Sequence, residues 1–140
     1  MRYLLDTNFL SETGKPRPDP GVVRWTRQQS PFDLFVSVLS LGEIRKGVEL
    51  RAPDARRAEV EGWLTNILPK QFYGRIFPVD VNVALEWGRL TAEGQRKGRV
   101  VPGIDGLLIA TAIVHGLTLV TRNERDCSGR GVSVLNPWSS

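Results

Sequence analysis

The chain has 140 residues, 41% hydrophobic and 24% charged, with 19 Lys+Arg against 15 Asp+Glu and a net charge of +4, a size and mixture expected of one soluble globular domain spanning 1–140. One cysteine (Cys127) excludes an internal disulfide, and with one histidine (His115), set in an apolar stretch, a His-based zinc site or catalytic triad has almost no raw material. No apolar run reaches the roughly 18 residues of a membrane span, and Asp6 interrupts any secretory leader, so no membrane association and a cytoplasmic location are expected.

The expected elements run in chain order. Residues 2–5 are a short apolar run and predict a buried strand, followed by a helix over 7–13 that Gly14 closes. The stiff Pro16-Arg17-Pro18-Asp19-Pro20 connection leads into a helix over 21–29. Residues 34–39 predict a second strand, and Ser40 opens a helix to about Leu50. Val60, Trp63, Leu64, Ile67 and Leu68 recur at helical spacing within 55–68, where Pro69 ends the run. A third strand is expected over 76–79, then a helix capped by Asp80 with Val83, Trp87 and Leu90 on one face. Residues 104–114 are so apolar that their helix must be buried on most sides, and 117–121 and 132–135 supply the last strands. Short strands alternating with helices give an α/β sandwich: a central parallel sheet with helices on both faces.

In such sheets, sites form beyond the carboxyl ends of the strands. The polar residues expected there are Asp6-Thr7-Asn8, Ser40 and Glu43, and Thr121-Arg122-Asn123, with Asp105 opening the apolar helix. Each acid also has a structural reading. Asp6 can be the N-cap of the helix that follows it. Ser40-Leu41-Gly42-Glu43 has the form of a capping box, in which Glu43 reaches back to the Ser40 N–H. Asp105 gains from the dipole of its helix, yet Gly103 and Gly106 leave more space around it than a dipole partner needs, which favours function. Asn123 and Asp126 stand in a stretch that also reads as a solvated turn. His115 is a helix-end residue, and Trp25, Trp63 and Trp87 read as core rather than base-stacking platforms.

Taken together, clustered carboxylates repel unless a cation neutralises them. A donor set of oxygens suits Mg²⁺ or Mn²⁺ rather than zinc. With a surplus of positive charge that favours a polyanionic partner, this points to phosphoryl chemistry.

Four segments carry a family resemblance: Leu4-Leu5-Asp6-Thr7-Asn8, Ser40-Leu41-Gly42-Glu43-Ile44-Arg45-Lys46-Gly47, Gly103-Ile104-Asp105-Gly106-Leu107-Leu108-Ile109-Ala110-Thr111-Ala112 and Leu119-Val120-Thr121-Arg122-Asn123. In this order they resemble the motifs of PIN domains, and the ending Val134-Leu135-Asn136-Pro137-Trp138 is most similar to VapC and FitB toxins. The resemblance implies a PIN-like three-layer sandwich, a homodimer and a Mg²⁺- or Mn²⁺-dependent endoribonuclease. It also implies a cognate antitoxin that covers the acidic pocket and alone contacts operator DNA. It carries the metal-holding acids onto Asp6, Glu43 and Asp105, while the fourth acidic position falls on Asn123, a neutral amide. Thr7, Asn8, Ser40 and Asp126 are then expected to support the ligands, and Arg45, Lys46 and Arg122 to meet the RNA backbone. Two rivals remain: an inactive PIN-like module that only binds RNA or a protein, and a phosphatase resembling haloacid dehalogenases. The latter class carries a second Asp two residues after the first, where this chain has Asn8.

Overall fold

In a computed structural model, which describes residues 1–138, five parallel strands form one sheet in the order β3-β2-β1-β4-β5. The strands are β1 (Tyr3–Leu5), β2 (Leu34–Ser37), β3 (Ile76–Phe77), β4 (Thr118–Val120) and β5 (Val134–Leu135). The expected 1–140 domain includes Ser139 and Ser140, which lie outside the described residues.

Period-two alternation in the strands divides the core between the faces of the sheet. Tyr3, Leu5, Leu34, Val36 and Val120 enter one cluster, with Phe9, Leu10, Val22, Ile44, Leu64 and Leu68. These come from α1 (Thr7–Thr13), α2 (Pro20–Gln28), α3 (Val38–Leu50) and the segment α4 (Ala55–Gly62) to α5 (Leu68–Gln71). Leu4, Phe35 and Leu119 enter the other cluster, with Leu90 of α6 (Val81–Arg96) and Leu108, Ile109 and Ala112 of α7 (Gly103–His115). Helices therefore cover both faces. Among the described residues, no helix is long and apolar enough to cross a membrane.

Four expectations need correction. The second strand ends at Ser37, not 39, because its ladder with β3 stops at the Ser37–Phe77 pair. Ser37, not Ser40, then caps α3, accepting from the Leu39 N–H at 3.1 Å. The capping box does not form. Pro69 does not end the 55–68 helix either: Trp63–Ile67 widens into a π turn, and Pro69 sits near the start of α5. In a continuous α-helix the ring of Pro69 would crowd the carbonyl four residues back, and at a helix start its missing N–H costs little. Finally, the stretch after β4 is not simply a turn; it forms α8 (Glu124–Cys127), with Asn123 at its N-terminal boundary.

Candidate active site

The chain starts in the middle of the sheet, builds β2 and β3 to one side, and returns through α6 and α7 to build β4 and β5 on the other. β1 and β4 are thus the neighbours at which the winding reverses, and the crevice beyond their carboxyl ends is where such sheets place sites. Asp6 leaves β1 there, 7% exposed. Its N-cap reading holds geometrically: one oxygen accepts from the Thr7 N–H at 2.6 Å. The other accepts from the Thr121 hydroxyl at 2.7 Å, closing a bridge across the switch point.

Thr121 organises more than this one bond. Its hydroxyl also accepts from the Asn8 amide at 3.3 Å and from the Asn123 N–H at 3.0 Å. Asn8 in turn accepts from the Arg122 N–H at 3.4 Å, tying α1 to the loop after β4. Sequence reasoning places Thr121 at this edge and in the fourth motif but assigns it no role of its own. Its signal is a polar residue directly after an apolar strand; two of its three partners, Asp6 and Asn8, lie at the distant β1–α1 junction.

Glu43 stands in the second turn of α3, free of any capping role. The Thr7 hydroxyl donates to its Oε1 at 2.5 Å and shares a 2.9 Å hydrogen bond with the hydroxyl of Ser40, which is fully buried. Thr7 and Ser40 therefore support Glu43, and Asn8 supports Thr121. Asp105 lies in the first turn of α7 without a side-chain hydrogen bond. The space expected around it is present at Gly103 but not at Gly106, where a Cβ would meet the Trp87 ring at 3.2 Å.

The acids feel one another. Burial raises the Asp6 carboxyl above the usual range, the Thr121 and Thr7 bonds oppose that, and Asp105 and Glu43 push it further up. Asp105 is raised mainly by burial, then by Glu43 and Asp126. Cys127 is buried in the core nearby: burial, then Asp6, Asp105 and Asp126, push its thiol up to about 12, so it stays protonated and neutral. No described lysine or arginine forms an ion pair with Asp6, Glu43 or Asp105. Among the described residues no three acids, histidines or cysteines already enclose a metal-sized point. The donor set nevertheless fits a hard cation, since Mg²⁺ is usually bound through one or two carboxylates and keeps several waters.

The expected cations are placed differently from one another. Lys46 shares a hollow with Glu43. Arg122 lies over the Trp138 ring at 5.7 Å. Arg45 is engaged by Glu49 and Glu61 at 3.5 and 3.8 Å. His115 stacks on Phe77, 3.8 Å between ring centroids, in the last turn of α7.

A family model described as PIN domain matches residues 3–127. The chain belongs to the PIN-domain family. Within it, a protein named VapC ribonuclease from Sinorhizobium fredii is 30% identical, over 96% of each chain. Toxin FitB from Neisseria gonorrhoeae is 33% identical over 96% of this chain and 97% of its own. A solved structure of FitAB bound to a DNA fragment superposes with a TM-score of 0.90 at 30% identity, covering 99% of this chain and 96% of that one. The chain is therefore a PIN domain of the VapC/FitB kind, and its sandwich is the PIN fold.

Proposed function

We propose that this PIN domain is a Mg²⁺- or Mn²⁺-dependent endoribonuclease and the toxin of a toxin–antitoxin pair. The carrying observation is the convergence of Asp6, Glu43 and Asp105 on the switch point, where burial first and neighbouring carboxylates second raise Asp6 and Asp105, and where no described lysine or arginine forms an ion pair with the three acids. Asp6 and Asp105 would hold the cation, with Glu43 as a further ligand or as the group that orients the attacking water. When bound, the cation supplies positive charge against the scissile phosphate and acidifies water for in-line attack. Thr121 and the Thr7 N–H fix Asp6, and the Thr7 hydroxyl fixes Glu43, so neither carboxylate must reorganise as charge develops. Lys46, beside Glu43, and Arg122, which follows β4, would meet phosphate oxygens; Arg45, held by two carboxylates, is less available.

RNA as substrate is supported by the name of the Sinorhizobium relative and by the surplus of positive charge. An antitoxin partner is supported by the solved FitAB assembly, whose DNA fragment suggests operator contact through the partner. A homodimer is favoured by apolar side chains left exposed, Val81 and Leu85 at 73% and 69% on α6 and Val38 and Ile104 beside Glu43. Purified protein is expected to cut single-stranded RNA, to stop in EDTA and to recover with Mg²⁺ or Mn²⁺. Cleavage that persists in EDTA, or none with any divalent cation, overturns the reading; RNA binding without cleavage would make it an inactive binding module.

A further inference from the structure

Beside the acidic cluster a groove of about 350 Å³ runs between α1, α3 and α4. That volume lies within the roughly 300–1,000 Å³ of small-molecule sites. Thr7 and Glu43 form part of its wall, so the groove is continuous with the acidic site. Val48 and Val60 give it an apolar floor, and the half-buried Trp63, which as expected from sequence also packs against the core, lines it with its ring facing Gly14, where an added Cβ would lie 3.5 Å from the ring. Trp63 also begins the π turn, a distortion that occurs often at functional sites. On the rim Arg51 has no carboxylate partner among the described residues, whereas its neighbour Arg56 is bound to Glu59 and to the Gly14 carbonyl.

We propose that this groove receives one nucleotide of single-stranded RNA, adjacent to the phosphodiester held at the acidic site, and so sets the base preference of cleavage. The inference rests on the nuclease reading above. An unpaired base offers a flat apolar face that stacks on an aromatic ring, and Trp63 supplies the ring. The phosphate on the far side of that nucleotide requires a cation, and Arg51 stands at the rim. Continuity with Glu43 and Thr7 makes the occupant part of the same strand. An apolar segment of a protein partner is the competing occupant.

Gly47 gives a direct test. It lines the groove from α3, and a Cβ built there meets no atom within 4 Å, so a larger side chain enters the groove rather than the core. Replacing a helical glycine also favours the helix, which keeps the variants folded. The series Gly47→Ala, Gly47→Leu and Gly47→Phe is titrated with a single-stranded RNA oligonucleotide in EDTA, following tryptophan fluorescence, with Trp63→Phe to assign the signal. The same proteins then cut a random RNA pool with Mg²⁺, and the nucleotides flanking each cut are sequenced.

Parent protein is expected to show quenching that disappears in Trp63→Phe. Affinity should fall with side-chain size, by about tenfold or more for Gly47→Phe, the loss expected of one stacked base. Base preference at the cut should relax in step. Unchanged RNA affinity and unchanged preference in Gly47→Phe overturn the inference while leaving the nuclease reading intact. Loss of antitoxin binding with RNA affinity retained assigns the groove to the protein partner and also overturns it. Size-graded binding by a parent that cuts nothing upholds the groove and overturns the nuclease reading.

Discussion

Two acid-rich regions of this molecule have opposite electrostatics. On the outer face of α6, Glu86 and Glu93 are held by Arg89 at 2.5 and 2.9 Å, and Lys97 reaches Glu93 at 2.8 Å. Glu93 is lowered below the usual carboxylate range, first by the bond to Lys97 and then by the bond to Arg89. At the switch point Asp6 and Asp105 move the other way, because burial removes water and the neighbouring charges have the same sign. The difference lies in spacing and solvent: helix partners three and four residues apart find one another locally, in water, where such pairs contribute little. The central acids are assembled from β1, α3 and α7 without such partners. The fold holds like-charged groups together there, in the way functional sites often do.

Removing a central acid is the strongest way to break this contrast. Asp6→Asn or Asp105→Asn should leave the fold intact and lower RNA cleavage by at least about a hundredfold, the loss of several kcal/mol of transition-state stabilisation. Circular dichroism and initial rates together check this, and a folded variant cutting at the parent rate would contradict the role given to these acids.

Adding charge sharpens it. Asn123 marks the start of α8 and bonds through its N–H to Thr121, the residue that holds Asp6, and Asp126, one turn on, raises Asp105. Asn123→Asp should tighten Mn²⁺ binding, and Asp126→Ala should weaken it by roughly the 10–100-fold typical of groups supporting metal ligands. Calorimetric titration decides this; unchanged or weaker affinity in Asn123→Asp would remove that position from the site.

The smallest effect is on stability, and its sign follows from the shifts. The Asp6 and Asp105 carboxyls are raised in the folded state, so the stability they contribute is fully present below their ordinary range and is lost as pH rises through the raised values. In EDTA at neutral pH, Asp105→Asn should therefore melt a few degrees above the parent, with the gain shrinking as the pH falls into the carboxylate range. Glu93→Gln, from the paired region, should show no such gain. Melting curves of both variants across pH test the contrast, and a lower melting temperature for Asp105→Asn at neutral pH would refute it.

The sequence by itself determined which residues could do chemistry and roughly where the chain alternates. Apolar runs ending in Asp6 and Thr121, an all-oxygen donor set and the uncharged helix behind Asp105 are local properties, legible without coordinates. Tertiary structure decided what depends on distant partners. Whether Ser37 or Ser40 caps α3 follows from where β3 stops pairing with β2, about forty positions along the chain. Glu43 was thereby freed from the cap to accept from Thr7. Thr121 became a hub only when β1 and β4 were laid side by side. Trp87 filled the space at Gly106 only because α6 packs against α7. Local propensity acts over a few residues, whereas strand ends, hydrogen-bond hubs and filled gaps are set by contacts between segments the chain itself keeps far apart.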